Sequence, residues 1–309
     1  VSTFRVCHAS PLRVEVRLSR PLGESSRIIQ YFRLDAGSAR LDVDTTVLWY
    51  ESRTLLRVLF PTGLDASHAT YDIQFGHIQR PQSAREGAEP DPIAAARFEV
   101  CAHRWADLSE PATDGKAGLG LAIVNDCKYG HSSANGVLGL TLLRSARFPD
   151  ETADIGKHSF TYSLMPHHGD WRAANVDGEA EALNRPLIAW SPTVAAFGEN
   201  DAEAREKTGR DCGATQEKTW APFTIEHSGA GRTEIAAVKP AEESGDLIVR
   251  LVETRGRACE VVIRWHLGVA RVVLTNLVEQ PLSPDSLDCQ ATRVRVTPFQ
   301  IITLRVTRS

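Results

Sequence analysis

The feature that most constrains this chain is an alternation of apolar and polar side chains with a period of two, repeated from one end to the other. Val14, Val16 and Leu18 stand between Arg13, Glu15 and Arg17, the pattern of a strand with one face to a core and one to water. Similar runs follow at 27–34, 40–50, 54–60, 69–75, 119–124, 137–143, 158–164 and 222–227. β-Branched and aromatic residues fill them, and Gly, Pro, Asp and Asn stand between them. Only 172–183 and 199–208 carry a helical pattern, and both are short. With no helical crossovers the sheets are expected to be antiparallel, and the fold class is all-β.

A boundary is visible at 228–232, where Gly229 and Gly231 interrupt the pattern in HSGAGR. Beyond it, runs at 246–253, 259–267, 270–278 and 292–307 are enough for a small sandwich. The expected organisation is therefore a large β-domain over 1–230 and a small one over 231–309. Two polar stretches, 82–93 and 198–218, read as surface loops.

Composition narrows the function classes. Lys and Arg number 35 against 39 Asp and Glu, a net charge of −4, so nothing in the balance suits a phosphate backbone and nucleic acid is not expected as a partner. No apolar run approaches the roughly 18 residues that cross a bilayer. The first thirty residues carry Arg5, Arg13, Arg17, Arg20 and Arg27, so neither a signal peptide nor a membrane association is expected. Six cysteines lie far apart, without a C-x-x-C pair or an Asn-x-Ser/Thr sequon. They read as buried free thiols in a reducing, cytoplasmic setting. The chain starts at Val1 and holds one methionine, Met165, so it reads as a piece of something longer.

Short catalytic signatures are missing. There is no phosphate-cradling G-x-x-x-x-G-K-[ST], no H-E-x-x-H and no G-x-S-x-G. Gly118-Leu119-Gly120 precedes a strand and reads as a turn feeding it. His168-Gly169-Asp170, beside His167, has the spacing of two metal ligands, but a strand expected to end near Leu164 makes it a polar turn.

The run Asn125-Asp126-Cys127-Lys128-Tyr129-Gly130-His131 is more informative, because it follows the apolar Leu121-Ala122-Ile123-Val124. Its polar groups stand where a strand emerges into a loop. Asp126 can accept, Lys128 can donate and Tyr129 can stack on a pyranose face, a set that suits a sugar. The same residues would equally hold a turn, with Lys128 paired to Asp126.

From Ala122 to Trp171 the chain resembles the C-terminal half of the α-mannosidases of glycoside hydrolase family 38, in the branch of the cytosolic and vacuolar enzymes and their bacterial relatives. Phe75-Gly76-His77-Ile78-Gln79-Arg80-Pro81 and Ala102-His103-Arg104-Trp105-Ala106-Asp107-Leu108-Ser109 resemble the same family upstream. Ala182-Leu183-Asn184-Arg185-Pro186-Leu187, Lys239-Pro240-Ala241-Glu242 and Leu247-Ile248-Val249-Arg250-Leu251 continue it downstream, so the resemblance covers nearly the whole chain.

That resemblance implies a large sandwich of the galactose-mutarotase-like supersandwich type, followed by a small terminal β-sandwich. It implies retaining hydrolysis of terminal α-D-mannosyl residues by the whole enzyme, with zinc and an Asp nucleophile on an N-terminal catalytic domain. None of those motifs is matched here. Within these residues no catalytic residue, metal ligand or cofactor is therefore expected, and the expected partners are the catalytic domain and an α-mannoside glycan. The family also inclines to homo-oligomers. As residues facing the glycan or the catalytic domain, the resemblance and the loop chemistry together select Asn125, Asp126, Lys128, Tyr129 and, on a neighbouring strand, Arg144, whose guanidinium offers a forked set of donors. His77, Arg80, His158, His167 and Trp171 read first as structural. The other reading of the whole is a stand-alone carbohydrate-binding module. Mutarotase-like chemistry would need a His and a carboxylate facing each other, a pair that the sequence does not reveal.

Overall fold

The computed structural model describes residues 2–84, 87, 89, 91–112, 118–188 and 221–309. Contacts divide the chain into two units, Val1–Pro186 and Leu187–Ser309. The second unit takes in the strand at Phe223–Gly229, which an organisation divided near 230 gives to the first domain. That strand pairs along its whole length with Cys259–Trp265.

In the first unit a nine-stranded sheet has the order β1 (Thr3–Ala9), β2 (Arg13–Leu22), β3 (Ser26–Asp35), β4 (Leu41–Trp49), β13 (Gly156–His168), β10 (Leu119–Asn125), β9 (Trp105–Ser109), β6 (His68–Ile73) and β7 (Gly76–Pro81). A four-stranded sheet has the order β5 (Leu55–Pro61), β12 (Val137–Arg144), β11 (Gly130–Ala134) and β8 (Val100–Cys101). Every pairing within both sheets is antiparallel, as the period-two pattern requires.

The two sheets enclose one core, in which Val43, Val47, Leu108 and Ile123 meet Leu138, Leu140 and Leu142. The nine-stranded sheet is also covered on its outer face. There Ala122, Val124, Trp105 and Met165 pack against Trp171, Val176 and Ala180. The second half of β10 is consequently buried on both sides, which is why Leu121-Ala122-Ile123-Val124 is an unbroken apolar run in place of the alternation expected over 119–124.

The outer cover is built around helix α2 (Val176–Asn184). Val176, Ala180 and Leu183 recur at the spacing of one helical face, and that face lies on the sheet. Asp177 and Glu179 occupy the first turn, where the helix dipole favours negative charge, and Pro186 follows just beyond the end. Asn184 Nδ2 donates to Asn125 O at 3.0 Å and so ties the helix end to the end of β10.

The second unit pairs a three-stranded sheet, β14 (Phe223–Gly229), β17 (Cys259–Trp265) and β19 (Ala291–Val296), with a four-stranded one, β15 (Thr233–Pro240), β16 (Leu247–Glu253), β20 (Ile301–Arg308) and β18 (Val269–Thr275). Its core joins Val249, Leu251, Leu304 and Val306 to Val261, Ile263 and Val296. Glu253 is fully buried and serves as an anion bound inside a loop. Its Oε1 accepts from Arg255 N at 2.9 Å and Arg232 N at 3.4 Å, and its Oε2 accepts from Gly256 N at 2.9 Å, Arg257 N at 3.2 Å and Phe299 N at 3.0 Å. One carboxylate thus holds the 254–257 turn against the turn before β20, where Phe299 has a positive φ of 60°.

Several elements differ from the alternation alone. The run 292–307 is two strands, because the turn at 297–300 breaks it. The run 69–75 ends at Ile73, and Phe75 at φ 58° turns the chain into β7. Strands β1, β7, β8, β9, β11 and β15 are added, most of them short, because pairing to a neighbour defines them more than period does. Strand β13 runs on through Pro166 to His168, so the expected end near Leu164 is four residues early. Pro92–Ala96, in the expected loop, is a short helix α1 capped by Asp91, whose Oδ1 accepts from Ile93 N at 2.8 Å. The candidate helix 199–208 and the candidate loop 198–218 lie outside the described residues. Among the described residues the thiols are also less buried than expected: Cys7, Cys101 and Cys127 are exposed, Cys289 is half-buried and only Cys259 is buried, while Cys212 lies outside them.

Replacing Glu253 by Gln keeps its shape but turns an NH2 group towards the two backbone N–H donors at Oε1 or the three at Oε2. The expected loss is about 2–3 kcal/mol, read as a lower urea midpoint for the second unit; an unchanged midpoint would refute the anchoring role.

Candidate functional site

The five residues selected from the sequence stand at the end of β10 and on β12. Asn125 is almost fully buried. Its Nδ2 donates to His103 O at 2.9 Å and its Oδ1 accepts from Lys128 N at 2.6 Å, which closes the 125–128 turn. Asp126 Oδ2 accepts from Thr161 N at 2.8 Å while its own N–H donates to Thr161 O at 3.1 Å, extending the ladder to β13 by one position. Lys128 places Nζ 4.1 Å over the Phe160 ring instead of against Asp126. Tyr129 is 58% exposed, its ring edge-on to His103 at 5.8 Å.

Arg144 stands on the other sheet, exposed at the end of β12, and shares no hydrogen bond or ion pair with the other four. A chain of contacts nonetheless relates it to them. Arg144 N donates to Asp154 Oδ2 at 2.8 Å, His158 Nε2 donates to Asp154 O at 2.8 Å, and Phe160, which carries Lys128, follows two residues later. Asn125 thus builds the turn, and Asp126, Tyr129 and Arg144 are the members exposed to solvent. Cys127, between them, has its thiol pushed up to about 11 by burial and then by Asp126, so it is no nucleophile at neutral pH.

Gly130 and His131, read in sequence as loop, begin β11. His131 is fully buried against the edge of Tyr71, and burial lowers its pKa to about 4. It is therefore a neutral core imidazole at physiological pH.

A second polar group, not selected from the sequence, lies on the outer face of the nine-stranded sheet. His167 on β13 reaches across β10 to Asp107 on β9, with Nε2 donating to Oδ2 at 2.7 Å. Two strand spacings separate those strands, about 9–10 Å. The reach is possible because the residue between them is Gly120, where a Cβ would stand 2.6 Å from His167 Nε2 and 2.8 Å from Ser109 Oγ. Gly120 therefore sits inside a strand, under an imidazole, and not in the turn expected for Gly118-Leu119-Gly120.

Ser109 Oγ donates to the other oxygen of Asp107, so both carboxylate oxygens are engaged. The order of contacts is Ser–Asp–His, with the carboxylate in the middle. It leaves the hydroxyl without an adjacent base and is no nucleophilic triad. Both side chains are buried, at 4% and 1% exposure. Burial alone would lower the His167 pKa, but the hydrogen bond and charge of Asp107 outweigh it and raise the pKa above its usual value. A facing His and carboxylate thus do exist, a pair invisible in sequence because 60 residues separate them.

Beside this pair, Trp171 is clamped from three sides. Trp105 lies at 4.7 Å, His77 at 4.8 Å and the Arg172 guanidinium at 4.3 Å from its ring. Arg172 Nη2 donates to His77 Nε2 at 3.0 Å, and Arg172 Nη1 reaches Asp170 Oδ2 at 3.4 Å. Asp170 Oδ1 also accepts from Ala173 N at 2.9 Å, so the H-x-D stretch builds the turn that carries Trp171. Between this turn, β6 and β9 lies a cleft of about 400 Å³. Among the described residues no group of three or more His, Cys, Asp or Glu side chains is placed to hold a metal ion. The described residues therefore do not fit the zinc that the resemblance implies for the whole enzyme, and no step is derived through it.

The two buried imidazoles give opposite pH responses. His131, depressed in the folded state, makes the first unit lose stability as pH falls from about 6.5 towards 4, by about 3 kcal/mol. His167, raised in the folded state, contributes stability that is complete below about 6.5 and lost as pH rises through its folded pKa. Urea melts across pH 4–9 should show His131→Phe flattening the acid limb and His167→Gln the alkaline limb; limbs unaltered by either change would contradict the assignment.

Comparison with known proteins agrees with this architecture. Residues 2–152 match the model of the glycosyl hydrolases family 38 C-terminal domain, and residues 233–304 that of the family 38 C-terminal beta sandwich domain. Alpha-mannosidase 2C1 of Homo sapiens is 35% identical over 288 residues, covering 92% of this chain and 24% of that protein. Alpha-mannosidase G of Dictyostelium discoideum is 43% identical over 314 residues, covering 98% of this chain and 26% of that protein. The chain thus spans about a quarter of the length of these relatives. An Enterococcus faecalis family 38 structure superposes with a TM-score of 0.71 at 17% identity, covering 99% of this chain and 36% of that one, a likeness of fold. The chain belongs to glycosyl hydrolase family 38, whose C-terminal domains it matches.

Proposed function

We propose that the chain is the non-catalytic C-terminal scaffold of a retaining, zinc-dependent enzyme that hydrolyses terminal α-D-mannosyl residues in the cytoplasm. Nucleophile and zinc ligands belong in this reading to an N-terminal catalytic domain, the partner against which the sandwich packs. The observation that carries it is the use to which the polar groups of the family-like segments are put. Asn125 and Asp126 hold strand ends, and Asp107 is saturated by Ser109 and His167. These groups build a rigid support, and general acid–base work requires a carboxylate free to exchange a proton with substrate.

The glycan is proposed to pass the loop that Asn125 positions, where Asp126, Lys128 and Tyr129 meet it or the catalytic domain, with Arg144 supplying donors from the adjacent strand. Tyr129 is the contact with most surface to offer.

An aryl α-mannoside assay tests the scaffold reading. The 309-residue chain alone is expected to be inactive and the longer parent with zinc active; turnover by the chain alone would overturn it. In the parent, Tyr129→Ala is expected to lower kcat/KM about tenfold, ~1.4 kcal/mol, with an unchanged melting temperature. Unaltered kinetics would remove Tyr129 from the glycan path.

A further inference from the structure

The cleft on the outer face of the nine-stranded sheet has the chemistry of a ligand site. Its volume of about 400 Å³ lies in the usual range of small-molecule sites, about 300–1,000 Å³. Thr70, Gln79, Ser109, Glu110, Trp171 and Arg172 are among its lining residues. Two hydroxyls, a carboxamide, a carboxylate and a guanidinium present donors and acceptors together, as a ring of vicinal hydroxyls requires.

The charged groups of this cleft are already hydrogen-bonded within the protein. Asp107 is held by Ser109 and His167, Arg172 by Asp170 and His77, and Glu110 Oε2 accepts from Asp65 N at 3.2 Å. An ionic ligand would have to break one of these pairings, whereas a neutral polyol would not.

An independent observation points to a missing polar partner here. Six buried side-chain polar atoms among the described residues have no hydrogen-bond partner; one, Trp171 Nε1, is on a residue that lines the cleft, and His167 Nδ1 and Trp105 Nε1 are on residues packed behind it, against Asp107 and Trp171. Buried polar atoms are normally satisfied, so such a concentration marks a place where water or ligand hydroxyls belong. The wall is also prepared for binding. Trp171 is fixed by Trp105, His77 and Arg172, so little side-chain freedom remains to be lost.

We propose that the cleft between β6, β9 and the 169–172 turn is a binding subsite for a neutral hexopyranose of the mannose class. The choice of mannose among polyols rests on the α-mannosidase reading; the site itself rests on the cleft. No bond is made or broken there.

The test titrates the 309-residue chain with methyl α-D-mannopyranoside and, separately, methyl α-D-glucopyranoside, following tryptophan fluorescence and calorimetric heat. Saturable millimolar binding of the mannoside is expected. Gln79→Ala and Ser109→Ala should each weaken it at least about fivefold while the circular dichroism spectrum stays that of the parent. Should either variant fail to fold, Thr70→Ser, which keeps the hydroxyl and trims one methyl, should retain binding and keep the site under test. No saturable binding of either sugar, or binding indifferent to both cleft variants, overturns the subsite and leaves the α-mannosidase reading standing. Cleft-dependent binding of the glucoside alone supports a hexopyranose site and overturns its mannose assignment.

Discussion

The first unit depends on a sheet that must be covered on both faces. Strand β10 carries Leu121 and Ile123 to one side and Ala122 and Val124 to the other, and none of the four can be left in water without losing burial worth ~1–3 kcal/mol each for the larger side chains. The four-stranded sheet covers the inner face. Helix α2 and the Trp171 turn cover the outer one. Polar groups on that outer side then need partners under the cover, which explains the saturated Asp107, the imidazole laid across Gly120 and the Asn184 tie to Asn125, while Trp105 Nε1, His167 Nδ1 and Trp171 Nε1 find none in the protein.

This constraint also separates structural polar residues from those available to a ligand. Asn125 has polar chemistry suited to a sugar, yet it sits where β10 ends beneath the helix, and backbone groups claim its amide. Tyr129 lies four residues further on, past the edge of the cover, and keeps its surface. The cleft beside Trp171 is the place where the cover stops short, and buried polar atoms without protein partners gather beside it.

The second unit solves a related problem in a different way. Its turns contain more backbone N–H donors than strand pairing can use, and the buried Glu253 carboxylate accepts from five of them. A carboxylate inside a loop has the effect of a bound anion, without dependence on a ligand.

The amino-acid sequence by itself determined the all-β class, the antiparallel pairing and most strand positions, because a period of two is a local property that each segment carries alone. It also carried the family, through long motifs in order. Tertiary structure alone decided what depends on partners distant in sequence. His167 meets Asp107 across 60 residues, Gly120 is a strand position that has to be glycine because an imidazole lies on it, and β14 belongs with β17, from Gly229 opposite Cys259 to Phe223 opposite Trp265. The short strands β8 and β11 fell on the same side, since two or five residues show no period and exist as strands only through a neighbour. That the Asn125 amide holds His103 O and Lys128 N is likewise not legible from its residue type, because only the folded chain brings those atoms to it.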